Sequence, residues 1–203
     1  LLEYSLNAPK QVQHFKQKFG VREVRVEKDV IKLNGKKIKL RGVNLHETDP
    51  FHGKVVSEEV NLKDLIMMKE ANVNMVRCSH YPRDPRFYEL CDSIGLYVMD
   101  EVPFGFGDAN LYDESYQDIL LTRADATVRR NKNHPSILFW SIGNENPLTE
   151  IAKETGRYVK QLDPTRPICY PMIHNYFLSL DFQIPEFVDI FAPHYPPVST
   201  LRY

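Results

Sequence analysis

The chain has 203 residues, with 26 Lys+Arg against 27 Asp+Glu for a formal net charge of −1, 42% hydrophobic and 26% charged residues. A chain of this length buries about 70% of its unfolded surface, which excludes a disulfide-stapled miniprotein and a disordered tail. The even charge lacks the basic footprint of a nucleic-acid binder, and no apolar run approaches the roughly 20 residues of a membrane helix. Three cysteines, Cys78, Cys91 and Cys169, without CxxC spacing suggest buried apolar groups, neither a disulfide framework nor a zinc site.

In chain order, the first segment reads as β. Between Gln11 and Lys39 apolar residues alternate, as in Val24 and Val26 and then Ile31 and Leu33, around Asn34-Gly35. Asn-Gly between alternating runs is a strong hairpin signal. The chain opens on Leu1-Leu2-Glu3, with neither a start methionine nor a signal-peptide pattern. Residues 1–35 are therefore expected to be the tail of a β-domain.

From there one grammar repeats. Short apolar runs at 38–44, 73–77, 96–100, 137–141, 168–172 and 188–193 alternate with helical patterns. Ser57 can cap the first helix, with Glu58 and Glu59 in its first turn and a stripe of Leu62, Leu65, Ile66 and Lys69. The second is bounded by Asp84-Pro85 and Gly95, with Phe87, Leu90, Cys91 and Ile94 on its buried face. A third spans about 116–131. A fourth runs over 149–162 and stops at Asp163-Pro164.

Strand and helix alternating at this pace predict parallel βαβ units, either an open doubly wound sheet or a closed barrel. The strand ends favour the barrel. Nearly every run finishes in polar or reactive residues: Asn44-Leu45-His46-Glu47, Arg77-Cys78-Ser79-His80-Tyr81, Asp100-Glu101, Asn144-Glu145 and His194-Tyr195. A barrel gathers its site from many strand ends, whereas an open sheet uses one switch point, commonly with a Gly-rich phosphate turn that this sequence lacks. A complete barrel needs eight strands and typically ~250 residues. The six runs predict a barrel truncated after about six strands, part of a larger protein.

The stretch from Asn131 to Glu145 carries the chemistry. A buried run containing the only tryptophan, Trp140, delivers Asn144 and Glu145 to the barrel mouth. Glycoside hydrolysis needs a carboxylic acid that keeps its proton near neutral pH. A glutamate beside an aromatic wall and facing a second carboxylate is expected to have a raised pKa. The alternative reading of the same residues is a helix cap after a strand.

Asn74-Met75-Val76-Arg77-Cys78-Ser79-His80-Tyr81-Pro82, followed by Phe87-Tyr88, Asp92 and Gly95-Leu96-Tyr97-Val98-Met99, resembles the first signature of glycoside hydrolase family 2. The 131–145 stretch resembles that family's acid/base signature, and Arg41-Gly42-Val43-Asn44-x-His46-Glu47 and Phe19-Gly20-Val21-Arg22 are similar to further family patterns. The resemblance covers nearly the whole chain. It implies an α/β fold: a (β/α)8 TIM barrel over residues 36–203, incomplete, preceded by the end of an immunoglobulin-like β-sandwich over residues 1–35. The family comprises retaining β-galactosidases, β-glucuronidases and β-mannosidases. It implies Glu145 as general acid/base and Asn144 on the sugar 2-hydroxyl. Arg77 would lie beneath the nucleophile, His46 and His80 around the terminal sugar, and Tyr195 against the nucleophile.

Other residues read differently. His134 suggests a structural role, and His14, His52 and His174 packing or solvated ones. Asp100-Glu101 fits a structural ion pair or a substrate contact equally. The family's nucleophile is a glutamate ending a seventh strand, beyond residue 203; Glu154 and Glu186 end no predicted strand. Some β-galactosidases of the family hold magnesium with a Glu-x-His pair after the third strand, where this chain reads Val102-Pro103-Phe104-Gly105-Phe106-Gly107. No metal or other cofactor is therefore expected, and the partner expected is a carbohydrate, a β-glycoside, with no nucleic acid and no membrane. β-Galactosidase ranks ahead of β-glucuronidase and β-mannosidase. A non-catalytic carbohydrate-binding or scaffold fragment, and a metal-dependent hydrolase built on His46, His80 and His194, are the competing readings.

Overall fold

The computed structural model describes residues 2–8, 11–106, 108–173 and 183–197; His174 and the chain end lie outside the described residues. Two antiparallel pieces come first. Strands β1 (Leu2–Ala8) and β2 (Gln11–Gln17) form a hairpin. Strands β3 (Val24–Glu27), β4 (Val30–Leu33) and β5 (Lys36–Lys37) form a three-stranded sheet. Asn34 (φ 50°) and Gly35 (φ 76°) make the two-residue turn between β4 and β5, both left-handed, so the sequence signal at Asn-Gly is met by the turn whose twist suits paired strands.

Six strands then pair in parallel: β6 (Gly42–Leu45), β7 (Met75–Cys78), β8 (Tyr97–Gly105), β9 (Ile137–Asn144), β10 (Ile168–Ile173) and β11 (Ile190–His194). They lie in sequence order with no reversal. A doubly wound sheet would reverse at a switch point; this order is that of successive barrel strands. Helices α1 (Glu58–Glu70), α2 (Pro85–Ile94), α3 (Gln117–Asn131) and α4 (Glu150–Leu162) fill the first four crossovers.

The helix boundaries follow from their caps. Ser57 Oγ accepts from the Val60 amide, the Asp84 side chain from the Arg86 amide, and Thr149 from Ala152. Each occupies an orphan donor of a first turn. Pro85 opens α2 and Gly95 closes it. In α1, Leu65 is buried as the stripe requires, but Ile66 lies on the solvent side.

The strands depart from the sequence boundaries at their ends. The first begins at Gly42, because Ile38 and Leu40 pack in the connection below it. The third runs on past Asp100 to Gly105, across a register irregularity with β9 between Val102 and Gly105, and β9 continues to Asn144. An apolar count ends where polarity begins, whereas backbone pairing does not.

Successive residues of a strand face opposite sides, and the side facing the barrel interior is layered. Met75, Met99, Phe139 and Cys169 form its floor, in one cluster with Val24, Ile31 and Leu33 of the small sheet. Two residues further along their strands, Arg77, Glu101 and Ser141 make a buried polar layer. The other face carries the larger core, with Val76, Val98, Trp140 and Ile142 packed among Leu65, Phe87, Leu90, Leu120, Val128 and Val159 of the helices. All three cysteines are buried and unpaired.

Candidate active site

The C-terminal strand ends open onto a cleft of about 240 Å³ lined by Asn44, Arg77, His80, Asn144, Glu145, Pro193, His194 and Tyr195. Four residues expected at a site from the sequence, Arg77, His80, Asn144 and Glu145, are thus brought together, with Tyr195 beside them. His46 stands one ring away, its centroid 5.2 Å from that of His80 in an edge-on arrangement. Burial first, then the neighbouring charges of His80, Lys54, Arg83 and Arg77, holds the His46 pKa below the usual histidine value.

Beneath the cleft lies Glu101, fully buried on β8. Its Oε2 accepts from Arg77 Nε at 2.9 Å and from Ser141 Oγ at 2.8 Å, with a second Arg77 nitrogen at 2.6 Å. Its Oε1 meets His80 Nδ1 at 2.8 Å. Of the two readings of Asp100-Glu101, Glu101 forms the structural ion pair with a neighbouring strand end. Arg77 also donates to Asn144 Oδ1 at 2.7 Å and reaches Asn44 Oδ1 at 3.5 Å.

Glu145 follows β9 in a left-handed conformation (φ 51°). Its Oε1 lies 2.9 Å from His194 Nδ1, and the Tyr195 hydroxyl donates to the same carboxylate. The described residues pull the Glu145 pKa down, opposite to the expected rise. Burial pushes it up, but hydrogen bonds from His194 and Tyr195 and the charges of His194 and His80 outweigh burial and hold it below the ordinary value. Trp140 supplies no aromatic wall, since it packs on the outer face and donates Nε1–H to Asp163 Oδ2 at 2.9 Å. Tyr195, expected against the nucleophile, sits here on the acid/base candidate. The hydrogen bond that Tyr195 donates to Glu145 raises the Tyr195 pKa.

The remaining candidates sort by place. His134 bonds Asp92 through Nδ1 at 2.7 Å and packs against Tyr88, away from the cleft residues, as a structural residue. His52 closes a turn on Asp49, and Glu154 and Glu186 both pair with Arg157. The metal-dependent reading finds no support: among the described residues no three His, Cys, Asp or Glu side chains converge on a metal position. At the end of β8 and just past it, Phe104 and Phe106 bring no oxygen or nitrogen side-chain donor, and Gly105 has no side chain. A Cβ on Gly105 would meet the Asn144 carbonyl oxygen at 2.0 Å, so these residues do not fit a magnesium site there. The pairing of Glu145 with His194 escaped the sequence, whose only sign of it was a histidine at the sixth strand end.

The model of the glycosyl hydrolases family 2, TIM barrel domain, matches residues 24–198. The chain belongs to glycosyl hydrolase family 2. A beta-galactosidase of Lactococcus lactis subsp. lactis is 46% identical over 159 residues, 76% of this chain and 16% of that protein. The b-glucuronidase from Ruminococcus gnavus superposes with a TM-score of 0.82 at 26% identity, over 93% of this chain and 34% of its own. A GH2 beta-galacturonidase from Eisenbergiella tayi gives 0.71 at 30% identity, over 80% and 30%. This family 2 barrel segment thus spans 16% of the curated relative and about a third of these solved chains. Its six parallel strands are those of a TIM barrel, and no helix among the described residues is long and apolar enough to cross a membrane.

Proposed function

We propose that the protein containing this segment is a retaining exo-β-glycosidase, a β-galactosidase ahead of a β-glucuronidase or β-mannosidase, with Glu145 as general acid/base. The observation that carries this reading is Glu145 beside Asn144 at the end of β9, open to the cleft and held by His194 and Tyr195. Glu145 would protonate the leaving oxygen and then, as base, activate the water that releases the sugar. The nucleophile is assigned to a strand beyond residue 203. Its carboxylate, roughly 5 Å away in a retaining enzyme, would push the Glu145 pKa upward against the pull of His194. The same reading makes residues 1–35, with their antiparallel hairpin, the end of a β-sandwich domain and the entry to the barrel.

The galactosidase preference draws on the Lactococcus relative, 46% identical over 159 residues. Among the described residues lining the cleft the one Lys or Arg is Arg77, which pairs with Glu101. Arg77, His80, His46 and Asn144 then serve the hydroxyl-bearing sugar ring.

The test is Glu145→Ala in the intact enzyme across a leaving-group series. A loss on the order of 10²–10⁴-fold is expected for poor leaving groups. Activated aryl β-glycosides should lose far less, and azide should restore their turnover by attacking the accumulated glycosyl-enzyme without a base. Equal losses across the series without azide rescue would remove Glu145 from the mechanism.

A further inference from the structure

We propose that Glu101 is the positioning residue of this cleft: a buried carboxylate that fixes, through His80 and Arg77, which polar atoms meet the sugar hydroxyls. The proposal rests on the glycosidase reading above.

Glu101 itself offers a ligand nothing. It has no exposed surface, and both oxygens are occupied by Arg77, Ser141 and His80. What it supplies is direction. A carboxylate oxygen accepts, so the Nδ1 of His80 must carry a proton, and in the neutral ring Nε2 is left as an acceptor. His80 lines the cleft, and its ring stands edge-on between His46 at 5.2 Å and Phe106 at 4.9 Å. These neighbours oppose rotation of the ring. In the neutral ring Nε2 therefore presents an acceptor to a hydroxyl that donates.

The second branch runs through Arg77. Glu101 grips its Nε and one terminal nitrogen, and that guanidinium donates to Asn144 Oδ1 at 2.7 Å. With the amide oxygen turned to Arg77, the end of Asn144 left for the cleft is its NH2, a donor. One carboxylate on β8 thus sets an acceptor on the β7 side and a donor on β9. That pairing suits two hydroxyls of a pyranose, one donating and one accepting. Glu101 also balances the Arg77 charge.

Glu101→Gln is nearly isosteric but turns one acceptor into an NH2. Either His80 must change tautomer, making Nε2 a donor, or Arg77 loses a partner and Asn144 its fixed sense. The experiment compares the intact wild-type enzyme and Glu101→Gln on an aryl β-glycoside and its monodeoxy analogues, with circular dichroism confirming the fold. The expected loss in kcat/KM on the full sugar is about 10–100-fold, the scale seen when an outer partner orienting a ligand histidine is removed. The loss should shrink toward wild type for the analogue lacking the hydroxyl read by His80 or by Asn144. His80→Ala should be silent on one of those same analogues. Should the glutamine variant not fold, Glu101→Asp carries the test: its shorter carboxylate withdraws from His80 and Arg77, and a smaller loss with the same deoxy pattern is expected. A loss uniform across the deoxy series in a folded variant would make Glu101 merely structural and overturn the proposal. A wild-type enzyme inert on every aryl β-glycoside would instead overturn the glycosidase reading, so the two failures are distinct.

Discussion

Asp100 and Glu101 are neighbours on β8, equally buried, and their side chains occupy opposite faces of the sheet. Asp100 points outward, where Tyr88 of α2 donates its hydroxyl at 2.7 Å and Asn131 at the end of α3 donates its amide at 2.7 Å. Glu101 points inward to Arg77, His80 and Ser141. The outward cluster is closed: helices cover it, and it ties α2 and α3 to the strand. The inward cluster is open on one side, because His80 and Asn144 line the cleft above it. The same polarity at the same height on one strand therefore serves docking on one face and recognition on the other. What separates them is which neighbours still have an unengaged atom.

The donors differ too, and this gives the comparison its largest measurable edge. Asp100 has only neutral side chains as direct donors. Burial raises its pKa from 3.8 to about 6, against the pull of Asn131 and Tyr88. The folded chain thus keeps this proton to higher pH than the unfolded one, so stability from this group is present below about pH 4 and is lost as pH rises toward 6. Relative to Asp100→Asn, wild-type unfolding free energy should fall by on the order of 3 kcal/mol across that window. Denaturant unfolding at several pH values checks it. A flat difference would mean that the outward carboxylate is compensated as fully as one facing an arginine.

A smaller effect tests whether the outer face stays out of the chemistry. The Tyr88 hydroxyl donates to Asp100 and accepts from the Arg83 amide. Tyr88→Phe leaves the buried Arg83 amide without its acceptor and takes one donor from Asp100, which keeps Asn131 and the Glu101 amide, costing about 1–3 kcal/mol, while kcat/KM of the folded enzyme should hold. A drop in kcat/KM like that of Glu101→Gln would dissolve the distinction between the faces.

The smallest effect concerns the inner face alone. His194→Phe removes a hydrogen bond and a charge that lower the Glu145 pKa, so the acid should keep its proton to higher pH. The alkaline limb of the kcat/KM profile is then expected to move upward, with little change in stability because the pair is only partly buried. An unmoved limb would leave Glu145 tuned by other groups.

Local features were legible in the sequence because their causes are local. Ser57, Asp84-Pro85 and Thr149 act within one turn of the helices they start, and Asn34-Gly35 fixes its turn with its own dihedral angles. Polar residues at strand ends also gave the correct mouth of the barrel. The harder features depend on partners far along the chain. Glu101 stayed ambiguous because Arg77 lies 24 residues away, and only the inward facing of both strands joins them. The downward pull on the Glu145 pKa went unseen because its source, His194, is 49 residues downstream. Trp140 looked like a wall for the site because a hydrophobic run does not say which of its residues face inward.

The contact at Gly105 narrows the paths along which this barrel can diverge. Its φ of +127° and the 2.0 Å gap between any Cβ and the Asn144 carbonyl oxygen leave β8 pressed against the strand that carries Glu145, and the Phe106 amide bonds that same carbonyl at 2.8 Å. A single codon change that placed a carboxylate or imidazole at 105 would first have to displace the backbone beside Asn144. A metal ligand at 105 therefore requires the backbone beside Asn144 to rearrange. Directed evolution seeking cation dependence at this rim would be expected to recruit ligands from other loops.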